Sequence, residues 1–268
     1  MKTRWNHSFR PLAVAALLTL VTLAALSGCS RDGARGGANP FAPTSLESAV
    51  ATSDPNAARI TIPFDPGNFG TVTENNRFFP LTPGYRYAYV TETPEGRETN
   101  DVVVTRDTKT ILGVETTVIR DQVFLEGSLT EDTFDWYAQD KNGNVWYFGE
   151  DTKTYDHGVL VTTQGSWEAG KNGASAGIIM LANPKIGDQY YQEFAPGVVA
   201  DQGKVLSLKE AVTVPYGTFT NCLKTADWTP IEPGNRAFKY YAEGIGVVLE
   251  VSHNGGGERT ELTEFSTR

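Results

Sequence analysis

From Tyr85 onward the chain consists of short alternating or β-branched runs, each closed by glycine, proline or asparagine, a punctuation that suits strands and turns and leaves little room for helices. Tyr85-Arg86-Tyr87-Ala88-Tyr89-Val90, the turn Pro94-Glu95-Gly96-Arg97 and Asp101-Val102-Val103-Val104-Thr105 read as a hairpin. Similar runs occupy residues 116–125, 133–139, 145–148, 159–163, 189–194, 205–214, 239–241 and 247–251. No long segment keeps a helical period with caps, and strands do not alternate with helices, which argues against a parallel α/β sheet. The expected fold is all-β: an antiparallel sandwich or a curved, partly closed β-barrel.

The sharpest local signal is Asp135-Trp136-Tyr137-Ala138-Gln139-Asp140-Lys141-Asn142-Gly143-Asn144-Val145-Trp146-Tyr147-Phe148-Gly149. Asn-Gly is the preferred pair for a two-residue type I′ turn, whose central residues both take positive φ. That turn would set Tyr137 opposite Phe148, Gln139 opposite Trp146 and Ala138 opposite Tyr147, with aromatic residues on both faces. Such a pair is either covered by protein on both sides or lines a ligand cavity. Trp136, Tyr137, Trp146 and Tyr147 are therefore the candidate ligand-binding residues.

The amino terminus bears on location. Lys2, Arg4 and Arg10 precede an uncharged apolar stretch, residues 12–26, which is short for a membrane span and typical of a signal peptide. Leu26-Ser27-Gly28-Cys29 resembles the bacterial lipobox, in which the signal is cut before the cysteine and acyl chains are added to it. Residues 1–28 then read as the signal peptide, with Cys29 as the lipidation site. Two or more acyl chains hold a protein stably at a membrane without spanning it. In proteins with this pattern, a serine such as Ser30 after the cysteine goes with outer-membrane rather than inner-membrane placement where two membranes exist. Residues 29–59 are rich in Gly, Ala, Ser and Pro and read as a flexible tether, leaving 60–268 as a single β-rich domain with one sizeable core.

Charge and residue inventory narrow the chemistry. The formal net charge is -9 at pH 7, more negative once the basic signal is removed, which makes nucleic acid an unsuitable partner. With Cys29 acylated, Cys222 has no partner within the chain and reads as a small buried hydrophobe. Few soft ligands remain for zinc, and Asp140, Asn142 and Asn144 lack the glycine position of a calcium loop, so no metal site is expected. Gly173-Ala174-Ser175-Ala176-Gly177 matches the nucleophile elbow in letters, with His253 further on, yet it lacks the strand before and the helix after. Glu131, Asp132, Asp135, Glu150 and Asp151 could pair for glycoside hydrolysis, but on an acidic chain they read as a solvated face. Gly255-Gly256-Gly257 reads as a hairpin turn, and no phosphate-binding glycine loop occurs, so neither a catalytic set nor a cofactor is implied.

Four stretches together resemble a family of exported bacterial lipoproteins without assigned function. They are Asn76-Arg77-Phe78-Phe79-Pro80-Leu81-Thr82-Pro83-Gly84-Tyr85, the tryptophan hairpin, Val212-Thr213-Val214-Pro215-Tyr216-Gly217-Thr218-Phe219, and Tyr240-Tyr241-Ala242-Glu243-Gly244-Ile245-Gly246-Val247-Val248. The first, third and fourth are similar to a β-rich domain of secreted and type IV pilus-associated proteins. The resemblance implies an antiparallel β domain outside the cytoplasm and carries no catalytic residues. The expectation is a lipid-anchored, extracytoplasmic binding or structural domain of the cell envelope that does not catalyse, an apolar or lipid-like molecule being the candidate ligand. The alternatives are a module for an envelope or pilus component, or an envelope hydrolase using paired carboxylates or Ser175.

Overall fold

The computed structural model describes residues 59–253 and 257–267. The expected signal peptide, Cys29, most of the tether, and Gly255 and Gly256 of the expected turn lie outside them. The strands are β1 (Tyr85–Thr93), β2 (Gly96–Ile111), β3 (Val114–Leu125), β4 (Ser128–Gln139), β5 (Val145–Asp156), β6 (Val159–Thr162), β7 (Trp167–Glu168) and β8 (Ser175–Met180). They continue as β9 (Gln189–Tyr191), β10 (Glu193–Phe194), β11 (Gln202–Val214), β12 (Gly217–Trp228), β13 (Arg236–Ala242), β14 (Gly246–Ser252) and β15 (Arg259–Thr267). The one helical element among the described residues is a 3₁₀ turn, Pro66–Asn68, capped by Asp65. The all-β antiparallel expectation is met.

All the strands belong to one sheet. Its order is β10-β8-β5-β4-β3-β2-β1-β15-β14-β13-β12-β11-β9, with β6 and β7 added to β5. Two meanders, β1 to β5 and β11 to β15, are therefore zipped together by the first and last strands. The free ends of the sheet meet in one short segment: Gln189–Tyr191 pairs with β11, and Glu193–Phe194 pairs with β8. The ladder is not closed, but only Gln192 separates its ends. Gln192 N donates to Asp201 O at 2.8 Å. Glycines flank it from both ends of the sheet: a Cβ on Gly177 would lie 2.3 Å from Gln192 O, and one on Gly203 would lie 2.8 Å from Gln192 Nε2. The second glycine of the elbow-like match is thus a packing requirement of this seam.

Period-2 burial holds through much of the sheet. Tyr87 and Tyr89 of β1, Val102 and Val104 of β2, and Leu262 of β15 are buried, with more exposed residues between them. In the tryptophan hairpin both faces are buried. The outer face is covered by Phe64 and Phe69, which pack edge-on against Trp146 and Phe148 with centroids 5.6 to 5.9 Å apart. Cys222 is buried in β12 as a free thiol.

The hairpin register differs from expectation by one residue. Tyr137 faces Tyr147, Ala138 faces Trp146 and Gln139 faces Val145. The cause is the Asp140 carboxylate. Its Oδ1 accepts from the amides of Asn142 and Asn144, and its Oδ2 accepts from Asn144 Nδ2 and Trp146 Nε1, each at 2.9 Å. This carboxylate organises a longer loop in which Gly143, and not Asn142, takes positive φ, so the type I′ requirement is not met. All four contacts are internal to the hairpin.

The seam can be tested directly. Gly177→Ala forces the Gln192 backbone away and should lower stability by about 2 kcal/mol or more, in the range of core overpacking. Urea unfolding measures it, and an unchanged midpoint would show that the segment yields freely.

Candidate functional site

The inner face of the sheet is lined by carboxylates, which is the reverse of the solvated face expected from sequence. Glu131, Asp132, Asp135 and Glu150 are all buried, while Asp151 is partly exposed and paired with Lys153. Asp132 forms a bidentate pair with Arg120, at 2.7 and 2.9 Å. The other three join Asp121 from β3, Asp227 and Glu250 from the second meander, and Glu193 and Asp201 beside the seam, all buried. Among the described residues, Lys239 is the one buried cation; its Nζ lies 3.2 Å from Asp227 Oδ2.

Register places the central pair. Asp135 of β4 is directly opposite Glu150 of β5, although Tyr137 is opposite Tyr147. Two residues on β4 therefore span three on β5, and the bulge includes Gly149, with φ of 130°. A Cβ there would sit 2.2 Å from Trp167 O. The bulge resets the alternation so that Tyr147 and Glu150 both point inward. The hydroxyl of Tyr147 donates to Asp135 Oδ1 at 2.5 Å and is 3.1 Å from Glu150 Oε2. A single hydroxyl proton serves one carboxylate at a time, so the second contact forms best when Glu150 is protonated and donates to the tyrosine oxygen.

Burial raises the pKa of these groups because a charged carboxylate loses its hydration. Glu131 is pushed up to about 8, by burial first and then by the neighbouring Asp121 charge. Glu250 also reaches about 8, by burial, with Lys239 pulling the other way. Burial takes Asp201 to about 7 and holds Asp135, Glu150 and Glu193 well above the usual carboxylate range. Burial would lower the Lys239 ammonium, but Asp227 and Glu250 outweigh it and raise it. Several acceptors have no hydrogen-bond partner among the described residues: Asp135 Oδ2, Asp227 Oδ1 and both oxygens of Glu250.

A groove of about 350 Å³ has a lining that includes Lys109, Trp136, Glu150, Trp167, Glu168 and Lys171. Trp136, Trp167 and Glu150 are buried members of that lining. Trp167 Nε1 donates to Glu193 Oε2 at 3.0 Å, and its ring stands edge-on to Tyr147 with centroids 5.4 Å apart. Lys109 Nζ lies 3.2 Å from the Trp136 ring centroid and 2.9 Å from Glu168 Oε2, which also binds Lys171 at 2.9 Å. A separate apolar pocket, lined among others by Phe79, Tyr87, Val104 and Ile119, is about 50 Å³, well below the roughly 300 Å³ of a typical small-molecule site.

The four aromatic candidates thus occupy different surroundings. Tyr137 and Tyr147 stack inside at 4.4 Å, Trp146 is sealed beneath Phe64 and Phe69, and Trp136 faces the groove. Trp167, Glu193 and Glu250 were not singled out from sequence. The available signals were the lone glycine of β5 and single acidic residues set within apolar strand runs, such as Glu250 between Leu249 and Val251. Ser175 is exposed and is followed by a strand rather than a helix, so no nucleophile elbow forms; His253 follows β14, which is not bonded to β8. A glycosidic bond would have to lie between Asp135 and Glu150, yet Asp135 is 0% exposed. The arrangement is chemically suited to storing protons and receiving positive charge.

No protein-family model and no curated protein matches the chain. Two solved structures align with it. One, named as an exported protein with a YMCC-like fold from Bacteroides fragilis NCTC 9343, shares 16% identity at a TM-score of 0.43 over 71% of this chain and 99% of its own. The other, named as a lipoprotein from Parabacteroides distasonis ATCC 8503, shares 13% at 0.38 over 72% and 100%. Alignments this loose do not bear on the site.

The raised carboxyls make stability depend on pH with a definite sign. Each binds its proton more tightly folded than unfolded, so its contribution is complete below the unfolded value near 4 and is lost as pH rises through the folded value. Melting temperature should therefore fall between weakly acid pH and about 8, the folded value of Glu131 and Glu250. Glu250→Gln should flatten the decline. A melting temperature that rises across this window would contradict the buried-acid interior.

Proposed function

We propose that this chain is a lipid-anchored, extracytoplasmic binding domain of the cell envelope, held at the membrane by acyl chains on Cys29 and binding rather than transforming its ligand. Ser30 favours the outer membrane where there are two. The observation that carries the binding reading is the groove lined among others by Trp136, Glu150, Trp167 and Glu168: it sets two indoles beside carboxylates and has the size of a small-molecule site. The roughly 50 Å³ apolar pocket gives less support to a lipid-like ligand than the polar groove gives to a charged one.

Two measurements test the parts separately. Cys29→Ser should move the protein from the membrane to the soluble fraction on cell fractionation; persistence in the membrane fraction would remove the anchor. A ligand in the groove should change the fluorescence of Trp136 and Trp167, and Trp136→Ala should weaken its binding by about tenfold, the loss of one well-placed aromatic contact. Binding unaffected by that change would place the ligand elsewhere.

A second reading, an interaction module for an envelope protein, is favoured by β6. Val159, Leu160 and Val161 are 67%, 49% and 56% exposed on a strand that, among the described residues, pairs only with β5, the kind of apolar edge that accepts a partner strand. Leu160→Lys should abolish crosslinking to such a partner in intact cells while leaving groove binding unchanged.

A further inference from the structure

Taking the groove as the binding site, we infer that one of its walls is a pH-sensitive latch: segment 189–199, which joins the two ends of the sheet, is held shut in acid and loosens as the pH rises, opening the groove.

Position in the fold is the first argument. Ala195, Pro196 and Val198 line the groove and directly follow β10. That strand pairs with the sheet through Glu193 opposite Ala176 and Phe194 opposite Ser175. On the other side Gln189, Tyr190 and Tyr191 pair with Lys204, Gly203 and Gln202. By contrast, the ladder between β2 and β3 runs from Glu98 opposite Leu125 to Ile111 opposite Val114. The curled sheet can therefore part at this joint with the loss of few backbone hydrogen bonds, a local opening that costs less than unfolding the domain.

The second argument is what the joint holds together. Glu193 and Asp201 stand on it and are 3% and 5% exposed. Gln192 N and Glu193 N both donate to Asp201 O, at 2.8 and 3.3 Å. Behind them Glu193 meets the field of Asp135 on β4 and Glu150 on β5, and the hydroxyls of Tyr137 and Tyr147. Trp167 Nε1 on β7 donates to Glu193 Oε2 at 3.0 Å. Asp201 meets Asp227 on β12 and is hydrogen-bonded to Thr229. Lys239 on β13 acts on both acids, is the one buried cation among the described residues, and already lies 3.2 Å from Asp227 Oδ2. If all these carboxyls ionise, one ammonium cannot balance them, and like charges without hydration favour parting the two meanders where they are joined least.

The sign follows from burial. In the closed segment burial pushes Asp201 up to about 7 and holds Glu193 well above the usual carboxylate range. Once the segment parts, both acids meet water and return to values near 4. The closed form binds the protons more tightly, so its advantage is complete below about pH 4. Each acid then reduces that advantage by up to about tenfold per pH unit until the pH passes its value in the closed form.

The test is hydrogen exchange read by mass spectrometry on the full-length chain in a nonionic detergent at pH 5.5 and 7.5, corrected for the intrinsic pH dependence of amide exchange. Protection of residues 189–194 should fall by about tenfold or more between the two, while β1 and β2 keep theirs. Acrylamide quenching of Trp167, assigned by difference from Trp167→Phe, should rise in step. Glu193→Gln, whose amide oxygen can still accept from Trp167, should flatten both changes, and exposed Asp107→Asn should not. If Glu193→Gln loses its near-ultraviolet circular dichroism, Ser175→Cys combined with Phe194→Cys decides instead. These two positions are directly opposed and exposed, and a disulfide between them should abolish the pH response until it is reduced. Protection of 189–194 that is constant with pH, that falls only together with β1 and β2, or that falls with no change at Trp167 would each overturn the latch. A ligand that alters Trp136 fluorescence with the same affinity at both pH values would keep the groove and remove the latch. Local opening with pH, while no ligand alters Trp136 fluorescence, would support the latch and remove the groove as a binding site.

Discussion

The curling of one antiparallel sheet until its ends are separated by Gln192 is the constraint on which the rest of the molecule depends. A flat sheet of the same strands would leave Glu131, Asp135, Glu150 and Glu250 in water, with ordinary pKa values and no groove beside them. Bringing β9 and β10 together as consecutive pieces of one segment allows the two meanders to enclose a common interior. Gly177 and Gly203 are essential to that approach because the Gln192 backbone and side chain occupy the space that a Cβ would need.

An interior lined this way is costly in isolation. Buried carboxylates are unfavourable unless protonated, hydrogen-bonded or paired with a cation. The chain uses all three remedies: proton retention at Glu131 and Glu250, hydrogen bonds from Tyr147 and Trp167 at Asp135 and Glu193, and the ion pair of Lys239 with Asp227. Acceptors remain without partners even so. Local rules are broken most often at functional sites, which is why the binding reading centres on this region and not on the well-packed aromatic face under Phe64 and Phe69.

Much of the strand pattern was legible because period-2 alternation and turn residues are local signals. The hairpin shows how narrow that legibility is. Asn142-Gly143 correctly marked a turn, but the Asp140 side chain, by capping amides two and four residues ahead, lengthened the loop and moved the register by one. The bulge at Gly149 then reversed the alternation within β5 and brought Glu150 inside. Reading the acids as solvated missed that bulge at Glu150 and, at Glu131 and Asp135, an inward face of β4 that carries acids among its buried residues, and the aromatic quartet was treated as one surface although its members face three surroundings.

The sequence by itself determined the antiparallel β class, the principal strands and turns, and the burial of Cys222, since these follow from residue spacing and side-chain size within a few positions. Only the tertiary structure decided which carboxylates share an interior, that Trp167 and Glu150 meet at one groove, and that Glu250 faces Lys239 without a hydrogen-bond partner. Those relations join residues far apart in the chain through register, bulge and seam, and a one-residue change in pairing moves a side chain to the opposite face of the sheet.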